Sequence, residues 1–357
     1  MNKLNKLLIL LVICLAVSGC EKITDTVMIP TDIPDTQPLT VMTYNVYVGS
    51  SAEPLLGVEN LLQAPTEVAI MYNNVMASNF PERAVAIAKS IKEYNPHIIG
   101  LQEISLIRKQ SPGDFLPDNP SLAEEVVLDY LKLLMDALKA EGLNYQVAAQ
   151  VENIDVEMPM FSDTGLDDVR LTDYDVILTR NDVGISRQTN ENFENTLKIE
   201  LLGLEIKRGY AAVDATVADT TYRVVNTHLE AYTEENRVQQ ARELIEILSD
   251  ESLPIILLGD FNTRATDGTA YQLLLDADYI DLWQMDTSGN GNTCCQDDDI
   301  LNDISDLTVR IDQIFVRNLT LPSSVMTYTV GDKQTDKLLS GLWPSDHAGV
   351  VAQISFE

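Results

Sequence analysis

The run Pro254-Ile255-Ile256-Leu257-Leu258-Gly259-Asp260-Phe261-Asn262 decides how this chain reads. Four consecutive large aliphatic residues between a proline and a glycine describe a strand buried on both faces. Such a strand has no structural reason to end in an acid, an aromatic ring and an amide. Gly259 lets the backbone bend or approach a neighbour closely at that point. Residues i and i+2 of a strand point to one face, so Asp260 and Asn262 are expected to share a direction. The same switch from apolar to polar recurs at Asn45, at Glu103, and at Asn226 with His228, which are again in phase. Asp312, Asp346 and His347 add further polar strand ends.

Outward from this run, β-rich segments are expected at residues 40–46, 97–103, 145–151, 175–180, 210–217, 222–228, 254–260, 309–317 and 348–356. Pro81 fits the first turn of a helix with Ala84, Ile87, Ala88 and Ile91 on its apolar face. Ser121 and Glu124 form a capping box that would open a second helix, stopped at Gly142. Val238, Ala241, Ile245 and Leu248 mark a third. Strands alternating with helices in places, and following one another as hairpins elsewhere, predict an α/β fold of mixed sheets covered by helices. Residues 47–79, 104–120, 152–174, 284–308 and 332–345 show no regular period. Several follow directly on a polar strand end, which places them around one rim.

The chain has 357 residues with 24 Lys+Arg against 55 Asp+Glu, a net charge of −31. Lys3 and Lys6, the apolar run Leu7 to Val17 and small Ser18 and Gly19 read as a signal peptide over residues 1–19, too short to span a bilayer. Cys20 follows at once. Val17-Ser18-Gly19-Cys20 resembles the bacterial lipobox, in which cysteine is lipidated; the other reading is an ordinary signal that ends at a cysteine. Residues 20–39 would then be a lipidated N-terminus and tether, rich in Thr, Asp and Pro, and residues 40–357 the domain. Loss of the two lysines leaves 22 cations against 55 anions, or −33. So acidic a field opposes non-specific binding to nucleic acid or anionic lipid.

Cys294 and Cys295 remain after Cys14 and Cys20, which excludes a disulfide framework. As neighbours they either form a vicinal disulfide or stay as buried thiols, the commoner case. His97 opens an apolar run and reads as a structural strand-edge residue, whereas His228 and His347 keep company with acids and amides. Carboxylates, amides and imidazoles form a hard-ligand set suited to Mg²⁺, with Mn²⁺ a second choice, rather than zinc. A phosphate ester needs an activated water, a leaving oxygen relieved of charge and neutralised phosphoryl oxygens. A metal ion, a carboxylate or imidazole to prepare water, and imidazole or amide donors would supply all three.

Six segments in order, VMTYNV at 41–46, IIGLQE at 98–103, VVNTHLEA at 224–231, ILLGDFN at 256–262, RIDQIFV at 310–316 and SDHAGV at 345–350, resemble the endonuclease/exonuclease/phosphatase superfamily. The resemblance implies a four-layer α/β sandwich of two mixed, mainly antiparallel sheets packed face to face. It also implies hydrolysis of phosphodiester or phosphomonoester bonds. Position by position, it makes Glu103 the principal metal ligand, helped by Asn45 and Asp346. Asp260 and Asn262 would orient the nucleophile and the scissile phosphate. His347, with Asp312 as its carboxylate partner, would be the base or a phosphate contact, and His228 would serve a non-bridging oxygen or the leaving group. Asn226 is expected to face the substrate. Arg170 either reaches a substrate phosphate or sits in a surface ion pair.

The Asn-Thr-His-Leu-Glu-Ala form, with Arg237 and Gln240 on the helix after it, is similar to sphingomyelinase-like and secreted bacterial branches. The expected partners are a phosphate-ester substrate, a lipid head group or a small ester, and a membrane met through the anchor. Nucleic acid is less favoured, because no dense Lys/Arg cluster is present. A monomer at the bacterial cell envelope, on the outer membrane in view of Glu21, is expected. The competing readings are a secreted nuclease and a binding lipoprotein that keeps the fold without activity.

Overall fold

The computed structural model describes residues 38–116, 121–286 and 289–356. The leader, Cys20 and nearly all of the expected tether lie outside the described residues. Among those described, no helix is long and apolar enough to cross a membrane.

The apolar strands assemble into two large sheets. The first is seven-stranded and runs Ser324–Val330, Gly349–Ser355, Leu39–Asn45, Ile98–Gln110, Gly165–Arg180, Tyr145–Ser162, with Glu125–Asp129 also paired to Ile98–Gln110. The second is six-stranded: Ile280–Asp281, Asp312–Arg317, Ile255–Asp260, Thr220–His228, Gly209–Val217, Gly184–Asn192. Each sheet has one parallel ladder, Leu39–Asn45 with Ile98–Gln110 and Thr220–His228 with Ile255–Asp260. Parallel neighbours require a crossover, and helices supply it: Phe80–Tyr94 in the first case, Glu234–Ile247 in the second.

The sheets pack face to face through Val41, Ile98 and Ile177 on one side and Val213, Val224, Ile256 and Leu258 on the other. Outside them, Ile87, Ile91 and Leu134 seal helices Phe80–Tyr94 and Tyr130–Ala140 onto the first sheet. Ala241, Leu244 and Leu274 seal Glu234–Ile247 and Thr269–Asp276 onto the second. The result is the expected four-layer α/β sandwich. Each fully buried Leu or Ile contributes roughly 1.5–3 kcal/mol by leaving water, so both faces of each sheet stabilise the stack.

Asn226 belongs to this stack and not to a binding surface. Fully buried, its Nδ2 donates to the carbonyls of Leu101 at 2.9 Å and Val176 at 3.1 Å, and its Oδ1 accepts from Gln102 Nε2 at 2.6 Å. It thus bolts the second sheet to two strands of the first. Gly100 makes room: a Cβ there would lie 2.5 Å from Asn226 Oδ1. The expected substrate contact at this position is corrected, because every polar atom of the side chain is already spent inside the core.

Three local expectations are also revised. Residues 152–174 form the outer half of a long hairpin, Tyr145–Ser162 with Gly165–Arg180, in which acidic residues on one face had masked the alternation Ile154, Val156, Met158 on the other. Within residues 47–79 lies the helix Ala64–Ala77, which has apolar residues all round and so no clear helical stripe. The helix before Gly142 starts at Tyr130, not after Ser121; its cap is Asp129, whose side chain accepts from the Lys132 amide. His97 is structural as expected, its Nδ1 accepting from the Thr40 amide at 3.1 Å. Cys294 and Cys295 are joined as a disulfide rather than standing as free thiols.

Candidate active site

The two parallel ladders end at the same edge of the sandwich, and that edge carries the polar strand ends. His228 and Asp260 are register partners, and Asp260 is in turn opposite Asp312, so three functional side chains stand on adjacent strands in one row. Asn45 ends its strand in the facing sheet. Glu103 sits where the ladder to Gly165–Arg180 slips between Leu101 and Ile104, with φ of +61°. A bulge of this kind re-aims one side chain. Tyr47 and Asn262 are also left-handed, at +60° and +48°, and non-glycine residues in that region gather where function holds them.

Together these residues line a cleft of about 300 Å³ that contains Glu103, Asp346, Asp260, Asn262, His228, His347 and Arg208. Asn45 Nδ2 donates to Glu103 Oε1 at 2.9 Å and to Asp260 Oδ2 at 3.0 Å. Its Oδ1 accepts from the Tyr47 amide. Asn45 therefore holds in place the two carboxylates of Glu103 and Asp260. Glu103 Oε2 accepts from the Val48 amide at 2.6 Å.

The two histidines are set in opposite states. His347 Nδ1 lies 2.8 Å from Asp312 Oδ2. Burial alone would depress its pKa, but Asp312, Asp346 and Asp260 outweigh that and hold it well above the ordinary value. His228 is pushed well below the ordinary value by burial, then by Arg208 and His347. Arg208 Nη1 lies 3.1 Å from His228 Nδ1. A guanidinium can only donate, so that nitrogen accepts and the proton of the neutral ring is on Nε2, 3.5 Å from Asp260 Oδ2.

Burial and the adjacent Asp312 raise Asp260 to about 7. Burial, with Glu103 and Asp260 as repelling neighbours, raises Asp346 to about 7. Asp260 and Asp346 are thus buried carboxylates crowded beside Glu103. Their oxygens are the donors that Mg²⁺ or Mn²⁺ prefers, so Glu103 and Asp346 fit a divalent ion. Asp260, Asp312 and His347 also offer ligand atoms within 4.8 Å of one another. The His347–Asp312 hydrogen bond makes that trio a carboxylate–imidazole pair rather than a metal nest.

Arg208 was not legible in advance. It lies just before the strand Gly209–Val217, and burial works against its charge, but Glu230, Asp173, Asp175 and Glu103 together raise its pKa. It is the only lysine or arginine lining the cleft among the described residues. Arg170 does not reach the site. Its guanidinium pairs with Asp155 and Glu124, and it alternates with Leu171 and Asp173, which do face the cleft.

Bracing comes from residues whose role the sequence left open. Arg83, fully buried, donates to the carbonyls of Val46, Tyr47 and Pro344, tying the Asn45 strand end to the Asp346 loop. Ser345 Oγ donates to the Asn45 carbonyl at 2.7 Å. Thr293 Oγ1 accepts from the Ile311 and Asp312 amides, and the Gln296 amide donates to the Asp346 carbonyl. The Thr293–Gln296 stretch is thus a clamp on the catalytic loops. Gln240 braces Glu230, accepting its amide at 2.8 Å. Trp343 packs under the loops with Tyr47, Ile300 and Leu342.

Stacked mixed sheets with an acid-and-imidazole cleft at their strand ends define an α/β sandwich hydrolase. The chain belongs to the Endonuclease/Exonuclease/phosphatase family, whose model matches residues 42–347; its members are phosphoester hydrolases. None of the curated proteins matches it. Among solved structures it is similar to a mannosyl-6-phosphatase from Bacteroides thetaiotaomicron VPI-5482, with 20% identity and a TM-score of 0.54 over 89% of this chain and 100% of that one. A family protein from the same species has 20% identity and 0.54 over 90% and 99%. One from Beutenbergia cavernae has 17% and 0.55 over 90% and 72%. At these identities the likeness is one of fold.

Proposed function

We propose that the chain is a Mg²⁺-dependent hydrolase of phosphate esters, with Mn²⁺ able to substitute. The substrates are lipid head groups or small esters, met at the bacterial cell envelope by a monomer anchored through Cys20. The observation that carries the chemistry is Asp260 Oδ2 standing within 3.5 Å of His228 Nε2 and 3.9 Å of His347 Nδ1, beside the Glu103 and Asp346 carboxylates. An ion held by Glu103 and Asp346 would supply Lewis-acid charge neutralisation to the phosphate.

Asp260, oriented by Asn45 and by the Asn262 amide at 2.9 Å, takes the proton of the attacking water. Neutral His228 donates from Nε2 to a phosphoryl oxygen. Protonated His347, fixed by Asp312, and Arg208 meet developing negative charge. Water oxygen joins phosphorus, the bond to the leaving oxygen breaks, and that oxygen takes up a proton. The envelope location is supported by the leader pattern of residues 1–20. Against a nuclease stands a cleft in which, among the described residues, Arg208 is the only lysine or arginine, flanked by Glu103, Asp173 and Asp298, where a nucleic acid would require a basic track.

The test is hydrolysis of bis-p-nitrophenyl phosphate, sphingomyelin and plasmid DNA, with Mg²⁺ and with chelator, beside His347→Ala. Metal-dependent turnover lost in the variant supports the reading. Preference for DNA would replace it with the nuclease reading, and no turnover of any substrate by folded protein would overturn it.

A further inference from the structure

Beside the polar cleft lies a second cavity, about 160 Å³ in volume, with the opposite chemistry. Of its eighteen lining residues only Ser50 and Tyr72 carry a polar side chain, and none is charged. Strand alternation builds one wall: Ile154, Val156 and Met158 from one arm of the long hairpin, Val169 and Leu171 from the other. Val68, Met71 and Val75 of the helix Ala64–Ala77 roof it, and the small hairpin Leu197–Ile199 with Leu204–Ile206 closes the remaining side.

The two cavities adjoin, with Val48, Ser50, Ala52, Ile154, Leu171 and Ile206 lining both. Protein interiors leave few voids larger than a water molecule. A cavity of roughly 150 Å³ walled by aliphatic side chains stays dry and takes up an apolar molecule. Here such a space borders a site built for phosphate, with Glu103, Arg208 and Asp346 on the far side of the shared residues. That division matches a molecule with an anionic phosphate at one end and hydrocarbon at the other.

We propose that this cavity binds an alkyl chain of the substrate, so that the ester cleaved is one carrying a hydrocarbon chain on its phosphate. The inference rests on the phosphoester-hydrolase reading of the adjoining cleft. In the reaction the chain anchors the substrate while water oxygen bonds to phosphorus, the bond to the other ester oxygen breaks, and that oxygen leaves with a proton.

The experiment uses the full-length chain with Mg²⁺ and a series of methyl, butyl, octyl and phenyl p-nitrophenyl phosphodiesters, each below its micelle concentration, and reads p-nitrophenolate release. The expected result is a kcat/KM that rises by roughly fourfold per added methylene until the cavity is full. Val156→Phe, which fills the space, is expected to pull the octyl-to-methyl ratio toward one. Ile199→Phe, on the small hairpin, serves the same purpose if the first variant does not fold. Metal-dependent turnover with no dependence on chain length would overturn the alkyl site while leaving the hydrolase reading intact. A phenyl ester preferred over butyl and octyl would overturn the assignment of the chain. Absence of metal-dependent turnover on every ester, methyl included, would overturn the reading beneath it.

Discussion

His347 Nδ1 lies 2.8 Å from Asp312 Oδ2, and both side chains are buried. A carboxylate at that distance fixes the ring, places a proton on Nδ1 and favours the imidazolium. Asp312→Asn keeps the shape and removes the charge. It is expected to lower kcat by roughly a hundredfold or more. The largest upward influence on the His347 pKa is then lost, so the limb on which activity falls with rising pH moves to lower pH. Parallel pH–rate profiles for the two proteins would instead give Asp312 a purely architectural part.

The same pair links pH to stability. A histidine whose folded pKa lies above its ordinary 6.5 adds stability that is fully present below that value and fades as pH rises through the folded pKa. Thermal midpoints of His347→Gln and the parent chain are expected to differ most below pH 6.5 and to converge in alkali. A gap that does not change with pH would contradict this linkage.

Arg208 is expected to matter to substrate and fold together. Arg208→Met removes the cation facing Glu230, Asp173 and Asp175, and an uncompensated buried charge of this kind costs about 3–5 kcal/mol. The melting temperature should fall steeply. Arg208→Lys, which restores charge without the fork that reaches His228, should recover much of the stability but leave KM raised roughly tenfold. Recovery of both by lysine would mean that charge alone suffices.

Asn226 separates two roles by measurement. Asn226→Ala strips partners from the Leu101 and Val176 carbonyls and from Gln102 Nε2, and each orphaned buried group costs about 1–3 kcal/mol. A lowered denaturant midpoint with little change in KM is expected. The reverse pattern would restore the substrate contact that in-phase spacing with His228 suggests.

How far the sequence carried the reading follows from where each signal resides. Asp260, His228 and Glu103 were visible because an acid or imidazole ending an apolar strand is anomalous locally. Arg208 was not, since its meaning lies in residues far along the chain, His228 and Glu230, that the fold brings to it. Asn226 shared the phase of His228, yet strand phase says only which face a residue takes. It does not say how deep between the sheets that residue lies. The outer half of the long hairpin was hidden because Asp155 and Glu157 alternate with Ile154, Val156 and Met158, a pattern weaker than an unbroken apolar run. Its apolar face now forms a wall of the cavity beside the cleft.

Metal binding should displace protons in a narrow pH window. A carboxyl raised from its ordinary 3.8 to about 7 by folding, as Asp260 and Asp346 are, binds more protons folded than unfolded between those values. The metal-free chain therefore loses stability as pH climbs through that window. Mg²⁺ at Glu103 and Asp346 favours the ionised form of Asp346, so its binding expels the proton held there. Calorimetric titration at pH 6 in two buffers of different ionisation enthalpy should show net proton release on Mg²⁺ binding, shrinking above pH 8. Mg²⁺ affinity should climb with pH across the same interval, and Glu103→Gln should weaken it while leaving Asp260 able to titrate. Binding with no proton release at pH 6 would mean that the ion occupies some other group of ligands, and the assignment of Glu103 and Asp346 would fall with it.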